Sequence, residues 1–263
     1  QISKYSPPQT FHSLEFDHVS FRYPGAKHDA IKDFSFSVHS GEHIALIGVN
    51  GSGKSTILKL IMRLYSPSKG KILINGQNIQ DFNLLEYYSL FSTMFQDAQV
   101  YSFSIAENIA MSSVIDKEKM RLCMNLSGLT EVVQKFPAKE ETMLLKIVDD
   151  SGVELSGGEV QKLAFARAIY KNAPIVLLDE PTAALDAFSE RKMFDAIHSF
   201  IENRTSIVVT HKLSSLKDYD KIIYIEMGEL KEIGSHQELL SAQGRYAKLF
   251  HKQSDLYEKG VVQ

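Results

Sequence analysis

The sequence predicts an α/β protein in which a parallel sheet forms the core, an antiparallel β subdomain comes first and an α-helical subdomain is inserted. Short continuous apolar runs such as residues 175–178 and 207–209 alternate with helical patterns, which is typical of a parallel sheet covered on both faces. Apolar and polar residues alternate in the first third of the chain. Strand signals then disappear between about residues 98 and 150.

The composition is that of an ordinary globular protein. Among 263 residues, 29 Lys and Arg oppose 32 Asp and Glu, so the net charge of −3 gives no indication of a nucleic-acid partner. Cys123 is the single cysteine, which excludes an internal disulfide, fits a reducing compartment and predicts a structural core thiol. The sequence contains neither a signal peptide nor an apolar run long enough to span a bilayer.

The N-terminal third reads as antiparallel strands after a linker. Residues 1–12 are largely polar and include adjacent prolines, which predicts the linker. Residues 14–21 then predict a half-buried strand with one irregularity, and residues 34–38 predict a second strand. Further along, Asn75-Gly76 lies between apolar residues and predicts a hairpin, because both central positions of such a turn need positive φ.

A glycine-rich turn follows the short apolar run at residues 43–47 and matches the pattern G-x-x-x-x-G-K-[ST]. Apolar residues recur at helical spacing after it, as far as Leu64, so the context is strand, loop and helix. The alternative is a flexible Gly/Ser loop before a helix, but the lysine, the hydroxyl and both flanking elements favour nucleotide binding. The residues predicted to bind the nucleotide are Gly48, Asn50, Gly51, Ser52, Gly53, Lys54, Ser55 and Thr56.

The chemistry of this turn follows from its residue types. Glycines let successive backbone N–H groups point inward around phosphate oxygens, and the helix N-terminus adds a favourable dipole. Lys54 is expected to reach the β- and γ-phosphates, and the Ser55 hydroxyl is expected to bind Mg²⁺.

The inserted region and the C-terminal part are mainly helical by pattern. Residues 117–126 and 131–136 predict amphipathic helices, and residues 160–170 predict a longer one. Residues 222–230 predict a closing strand and turn. The spacing of Ser235 and Glu238 predicts a capping box that opens the final helix.

Two carboxylates stand at the end of the apolar run 175–178. Asp179 is expected to hold Mg²⁺, and Glu180 is expected to accept a proton from an attacking water, because functional groups in α/β sheets gather at the carboxyl ends of strands. The alternative is a solvated acidic turn after a core strand, which the upstream Lys54 makes less favoured.

Leu155-Ser156-Gly157-Gly158-Glu159 closely resembles the signature sequence of ATP-binding cassette (ABC) proteins. Together with the glycine-rich turn, this sequence makes the chain resemble the nucleotide-binding domain of an exporter-type ABC transporter. The resemblance extends from about residue 14 to 250. The resemblance implies a P-loop NTPase (RecA-like) core over residues 13–251, with a helical subdomain at about 98–160. Residues 1–12 would link it to an upstream transmembrane domain, and residues 252–263 would form a tail. The start at Gln1 rather than Met leads us to expect a segment of a longer polypeptide.

The resemblance also implies how the signature works. Ser156, Gly157, Gly158 and Glu159 would bind the γ-phosphate of ATP held by the other subunit, and Asp186 would contact that subunit. A Ser-Gly-Gly taken alone would be a helix-entry loop. Glu159 stands where glutamine is more usual and adds negative charge near ATP. The segment 148–153 before the signature lacks the Glu and Arg pattern of many exporters.

Further residues match the family one at a time. Tyr23 would stack on adenine, and Ile31 would contact the same base. Gln96 would touch Mg²⁺ and the attacking water and would begin the loop that meets the membrane domain, and residues 103–109 resemble the exporter form of that loop. His211 would donate a hydrogen bond to the γ-phosphate. A tyrosine or histidine at a strand end is otherwise commonly structural.

The implied function is that of an ATP-binding and ATP-hydrolysing motor domain of a membrane exporter, with ATP and Mg²⁺ as cofactors. Its partners would be a second nucleotide-binding domain, identical or homologous, in a head-to-tail dimer, and a transmembrane domain in the same or another chain. The domain itself would be soluble, lie at the cytoplasmic face of the membrane and bind no nucleic acid. Two alternatives are less favoured. A soluble ABC ATPase acting on nucleic acid or ribosomes usually carries a long coiled coil or tandem cassettes, and neither occurs in this sequence. A P-loop kinase or GTPase would need neither the signature nor His211.

Overall fold

The computed structural model describes residues 5–147 and 150–258 of the chain. Four residues of the predicted linker, Val148 and Asp149 of the atypical segment before the signature, and five residues of the predicted tail lie outside these ranges. The chain forms two compact units. One comprises the residues up to Leu90 together with those from Arg204 onward, and the other is Phe91–Asn203.

The described chain combines ten strands with nine α-helices. The strands are β1 Ser13–Phe21, β2 Ile31–His39, β3 His43–Ile47, β4 Lys69–Ile74, β5 Gln77–Asn78, β6 Phe91–Met94, β7 Ile175–Asp179, β8 Thr205–Val209, β9 Lys221–Glu226 and β10 Glu229–Gly234. The α-helices are α1 Lys54–Ile61, α2 Leu84–Tyr88, α3 Ile105–Ala110, α4 Lys117–Leu126, α5 Thr130–Val133, α6 Gly157–Lys171, α7 Ala187–Ile201, α8 His236–Ser241 and α9 Arg245–Glu258. Within the described ranges, none of these helices is both long and apolar enough to cross a membrane.

The first unit contains the predicted antiparallel sheet, with strand order β2-β1-β4-β5. The irregularity expected in β1 is confirmed as a register shift between Phe16 and Val19, where His18 has a φ of +50°. The predicted hairpin is also confirmed, since Asn75 and Gly76 have φ values of +50° and +77° and connect β4 to β5. Local turn chemistry therefore fixes the register of the β4–β5 hairpin.

The parallel strands of the first unit surround β3, which pairs in parallel with β8 on one side and β9 on the other. β10 adds an antiparallel edge next to β9. Every residue of β8 is buried, which explains why its sequence is a continuous apolar run rather than an alternating one. The carboxyl end of β3 leads directly into the glycine-rich turn, and α1 follows it.

The second unit combines the parallel pair β6 and β7 with helices. No strand lies between β6 and β7 in the described part of the chain, which confirms the predicted helical insertion. Cys123 is buried on α4, and burial raises the pKa of its thiol to about 11, so a structural core thiol stays the predicted role.

Two helix ends predicted from apolar spacing are wrong. α1 ends at Ile61 and Arg63 adopts a φ of +53°, so Leu64 points to solvent with 53% exposure. α5 ends at Val133, because the chain leaves the helix in single turns before Pro137. The capping box at Ser235 is confirmed, but it opens α8, and α9 follows as the last helix.

Candidate functional site

The glycine-rich turn in the first unit is built from residues with left-handed backbone. Gly48, Gly51 and Gly53 have φ values of +148°, +75° and +110°. A Cβ atom at position 48 would lie 2.1 Å from the carbonyl oxygen of Ile225, and one at position 53 would lie 2.7 Å from Ile31 Cδ1. Glycine is therefore required at 48 and 53 by both conformation and space.

Gly48→Ala is expected to destabilise the fold and weaken ATP binding, because the new methyl group meets a backbone atom that cannot move aside. The strain is on the order of 1–3 kcal/mol from the backbone conformation alone, and the steric overlap adds to it. Thermal unfolding and titration with a fluorescent ATP analogue measure the two effects. Gly51→Ala is the matched control, since it introduces a left-handed alanine with nothing within 4 Å of its Cβ. Equal effects in both variants would contradict the steric argument.

Two polar side chains of this turn show that it suits a phosphate ligand. Ser52 Oγ is buried and has no hydrogen-bond partner among the described residues, a situation that costs on the order of 1–3 kcal/mol unless a ligand supplies the bond. Lys54 Nζ is also buried and donates to the carbonyl oxygens of Gly48 at 2.9 Å and Val49 at 3.1 Å. A hydroxyl donor and a cation inside a ring of backbone groups fit an oxyanion.

The turn between β9 and β10 contacts the glycine-rich turn through a backbone hydrogen bond. Gly228 donates its backbone N–H to Ser52 O at 3.0 Å, and Gly228 O accepts from Lys32 N at 2.8 Å. A Cβ atom at position 228 would lie 2.5 Å from Ala30 O, so a glycine is needed here as well. The sequence predicts a turn at this glycine, but its long-range contact with the nucleotide-binding turn leaves no local signal.

Tyr23 is tied to the start of α1. Its hydroxyl group hydrogen-bonds with Thr56 Oγ1 at 3.0 Å, and its half-buried ring packs edge-on against Phe21 and Tyr65. Ile31 is fully buried, with its Cδ1 beside Gly53. The stacking of Tyr23 on adenine and the contact of Ile31 with the base stay predictions. No sequence motif pointed to Tyr65, whose ring packs edge-on against the Tyr23 ring.

His211 lies two residues beyond β8 and is exposed. Gly48 comes directly after β3, and β3 and β8 are neighbouring parallel strands. His211 and Gly48 therefore both lie at the carboxyl ends of these strands. Thr210 connects the two strand ends, since its N–H donates to Leu46 O at 3.3 Å. Within the first unit, the predicted γ-phosphate ligand and the predicted phosphate-binding turn therefore occur at the same strand ends.

The acidic pair of the second unit follows β7. Asp179 is its last residue and is buried, whereas Glu180 is half-buried and has a φ of +49°, which is uncommon for a residue with a side chain. Gln96 is exposed and lies two residues beyond β6, the parallel neighbour of β7. Gln96, Asp179 and Glu180 therefore lie at the carboxyl ends of neighbouring strands. Carboxylate and amide oxygens are donors of the kind that Mg²⁺ prefers.

The signature residues form the N-terminus of α6, where Ser156 is the N-cap in a capping box. Glu159 Oε2 accepts from Ser156 N and Ser156 Oγ, both at 2.9 Å, and Lys135 Nζ lies 3.7 Å from Glu159 Oε1. Partial burial raises the Glu159 pKa, but the Ser156 hydrogen bonds and Lys135 outweigh it and hold that pKa below its ordinary value. Glu159 is therefore a carboxylate at neutral pH.

The start of α6 packs against the loop that precedes α7. A Cβ atom on Gly158 would lie 3.1 Å from Leu185 Cδ2, and Ala184 N donates to the buried Gln161 Oε1 at 3.1 Å. Asp186 ends this loop as the N-cap of α7. The signature and Asp186 thus belong to one packed surface. The sequence did not predict a role for Gln161, because a polar residue within a helical pattern is expected to face solvent.

Comparisons with known proteins agree with this geometry. The family model described as ABC transporter matches residues 31–183. An ATP-dependent lipid A-core flippase of Methylobacillus flagellatus is 40% identical over 92% of this chain and 41% of its own length. A protein of the same name from Ralstonia nicotianae is 38% identical over 90% of this chain and 40% of its own length. The chain therefore spans about two fifths of the length of these relatives.

A solved structure gives the same result at the level of the fold. The structure of a bacterial Atm1-family ABC exporter with ATP bound superposes with a TM-score of 0.86, at 31% identity, over 95% of this chain and 43% of that chain. The predicted fold class and family resemblance are confirmed. The chain belongs to the ABC transporter family.

Proposed function

We propose that this chain is the motor of a membrane exporter, which closes head-to-tail with a second nucleotide-binding domain around two ATP molecules and reopens after hydrolysis. The observation that carries the proposal is the buried Ser52 hydroxyl, which lacks a partner among the described residues and lies inside a turn where Gly48 and Gly53 leave no room for a Cβ atom. A triphosphate supplies the missing acceptor oxygens.

Nucleotide binding follows from the first unit. Lys54 exchanges its contacts with two loop carbonyls for the β- and γ-phosphate oxygens, while the backbone N–H groups of the turn surround the phosphates. The Tyr23 ring stacks on adenine, and Ile31 contributes apolar surface beneath the same region. The remaining phosphate contacts come from the other residues of the turn, which are Gly48, Asn50, Gly51, Ser52, Gly53, Ser55 and Thr56.

Hydrolysis is assigned to side chains that follow the ends of parallel strands. Glu180 accepts a proton from the attacking water, His211 donates a hydrogen bond to the γ-phosphate, and Gln96 orients the water. Ser55, Gln96 and Asp179 would hold Mg²⁺, which when bound would neutralise charge on the phosphate oxygens.

The dimer contact is assigned to the second unit. Ser156, Gly157, Gly158 and Glu159 approach the γ-phosphate bound by the other subunit, and Asp186 contacts that subunit nearby. The packing of Gly158 against Leu185, and the hydrogen bond of Gln161 to Ala184, support joint movement of these two contact points. ATP bridges the two subunits, and loss of the γ-phosphate removes the bridge. A transmembrane domain, in this or another chain, receives the movement at the cytoplasmic face of the membrane.

Phosphate release by the 263-residue chain tests the proposal. We expect Mg²⁺-dependent ATP hydrolysis whose rate per molecule rises with chain concentration, because the active form is a dimer. Chelation of Mg²⁺ should abolish it, and single-stranded DNA or ribosomal RNA should leave it unchanged. Many-fold stimulation by either nucleic acid would instead favour a soluble ABC ATPase, and transfer of phosphate to an acceptor would favour a kinase.

A further inference from the structure

We infer that Lys135 is a positioning residue for ATP-driven closure, which it assists by neutralising Glu159 at the signature. The inference rests on the proposed function, because it concerns the approach of this signature to a triphosphate on a second subunit. Lys135 stands 20 or more residues away from the signature in sequence, in the turn that follows α5, and it matches none of the nucleotide-binding motifs.

The two oxygens of Glu159 have separate partners. Oε2 accepts both hydrogen bonds from Ser156, and Oε1 faces Lys135 Nζ at 3.7 Å. The capping box thus fixes the carboxylate beside Ser156, so its charge cannot rotate away from a phosphate that approaches this residue. The Glu159 side chain is 23% exposed, so solvent screens its charge only in part.

The negative charge of Glu159 opposes the approach of a triphosphate, and the positive charge of Lys135 reduces this repulsion. A triphosphate that approaches the start of α6 is attracted by the helix dipole and repelled by the Glu159 carboxylate. A glutamine at this position would carry no such repulsion. Lys135 compensates the charge without taking part in the capping box, since its contact is to the oxygen that Ser156 does not use. Its own side chain is 66% exposed and makes little difference to folding.

A double-mutant cycle on the 263-residue chain tests the inference, with Glu180→Gln present throughout so that ATP is not consumed. The variants are Lys135→Met, Glu159→Gln and their combination, and sedimentation gives the Mg-ATP concentration at which half the chain is dimeric. Lys135→Met is expected to raise this concentration about tenfold at low salt when Glu159 is present, and less than about twofold when Gln replaces it. The larger effect should shrink in about 0.5 M salt.

Lys192→Met is the matched control, because Lys192 lies in the same unit, is 60% exposed and pairs with Glu131 at 4.0 Å. It should leave dimerisation unchanged, and thermal unfolding without nucleotide should be alike in all variants. If Lys135→Met has no effect, or equal effects with Glu159 and with Gln at that position, the inference is wrong while the proposed function stands. If the Glu180→Gln parent does not dimerise with Mg-ATP, the proposed function fails and the inference fails with it.

Discussion

Glu180→Gln is expected to lower the rate of ATP hydrolysis by about a hundredfold or more, while ATP binding persists. The amide has nearly the shape of the carboxylate, so the backbone at residue 180, with its φ of +49°, need not change. What is lost is the proton acceptor, because an amide is not basic. ATP that binds and is not hydrolysed should then hold the dimer closed. Phosphate release measures the first effect, and sedimentation with Mg-ATP measures the second.

Glu118→Gln serves as the control for this prediction. Glu118 is exposed on α4 in the same unit and belongs to no predicted site, so its substitution should leave hydrolysis and dimerisation as they are. A Glu180→Gln variant that hydrolyses ATP at the parent rate would remove Glu180 from the role of base. Thermal unfolding distinguishes a loss of chemistry from a loss of fold.

Ser156→Arg is expected to abolish ATP-driven dimerisation while each monomer still binds ATP. Ser156 is an exposed N-cap, and arginine both removes the capping hydroxyl and places a long side chain where the other subunit would approach. Loss of an N-cap costs about 1 kcal/mol, which is small beside the stability of a domain. Titration with a fluorescent ATP analogue should therefore match the parent, whereas sedimentation with Mg-ATP should show monomers.

The chain provides a matched control in Ser235→Arg. Ser235 caps α8 with the same set of bonds, since Glu238 Oε2 accepts from Ser235 N at 2.8 Å and from Ser235 Oγ at 2.9 Å. The substitution removes the same kind of cap outside the signature, so dimerisation should persist. Dimers of the Ser156→Arg variant that form as readily as those of Ser235→Arg would contradict the assignment of the signature to the interface.

Features with local causes could be predicted from the sequence. Asn75 and Gly76 specify their hairpin because few other residues tolerate two successive positive φ values, and the phosphate-binding turn is specified by its own glycines and lysine. Leu64 shows why helix ends were less accurate. Apolar spacing indicates which face of a helix could be buried, but it does not indicate whether the fold provides a surface there, and Leu64 is exposed.

Long-range contacts account for the parts of the candidate site that the sequence did not reveal. Ile225 and Gly228 shape the phosphate-binding turn from the opposite end of the chain, and neither carries a motif of its own. Ser156 and Glu159 have the same S-x-x-E spacing that predicts the capping box at Ser235, so that part was available locally. The ion pair of Glu159 with Lys135 could not be predicted from the sequence, because it depends on where the turn after α5 lies relative to α6.

The hydrogen bond between Tyr23 and Thr56 has a consequence for which nucleotides the first unit accepts. It fixes the distance between the aromatic ring and the first turn of α1 through a hydroxyl pair 3.0 Å apart. A ligand that stacks on this ring while its terminal phosphates reach Lys54 must therefore match one set length. With Tyr23 stacked on adenine as proposed, a nucleoside monophosphate lacks the β- and γ-phosphates assigned to Lys54 and makes only one of the two contacts, so we expect it to bind more weakly than ATP.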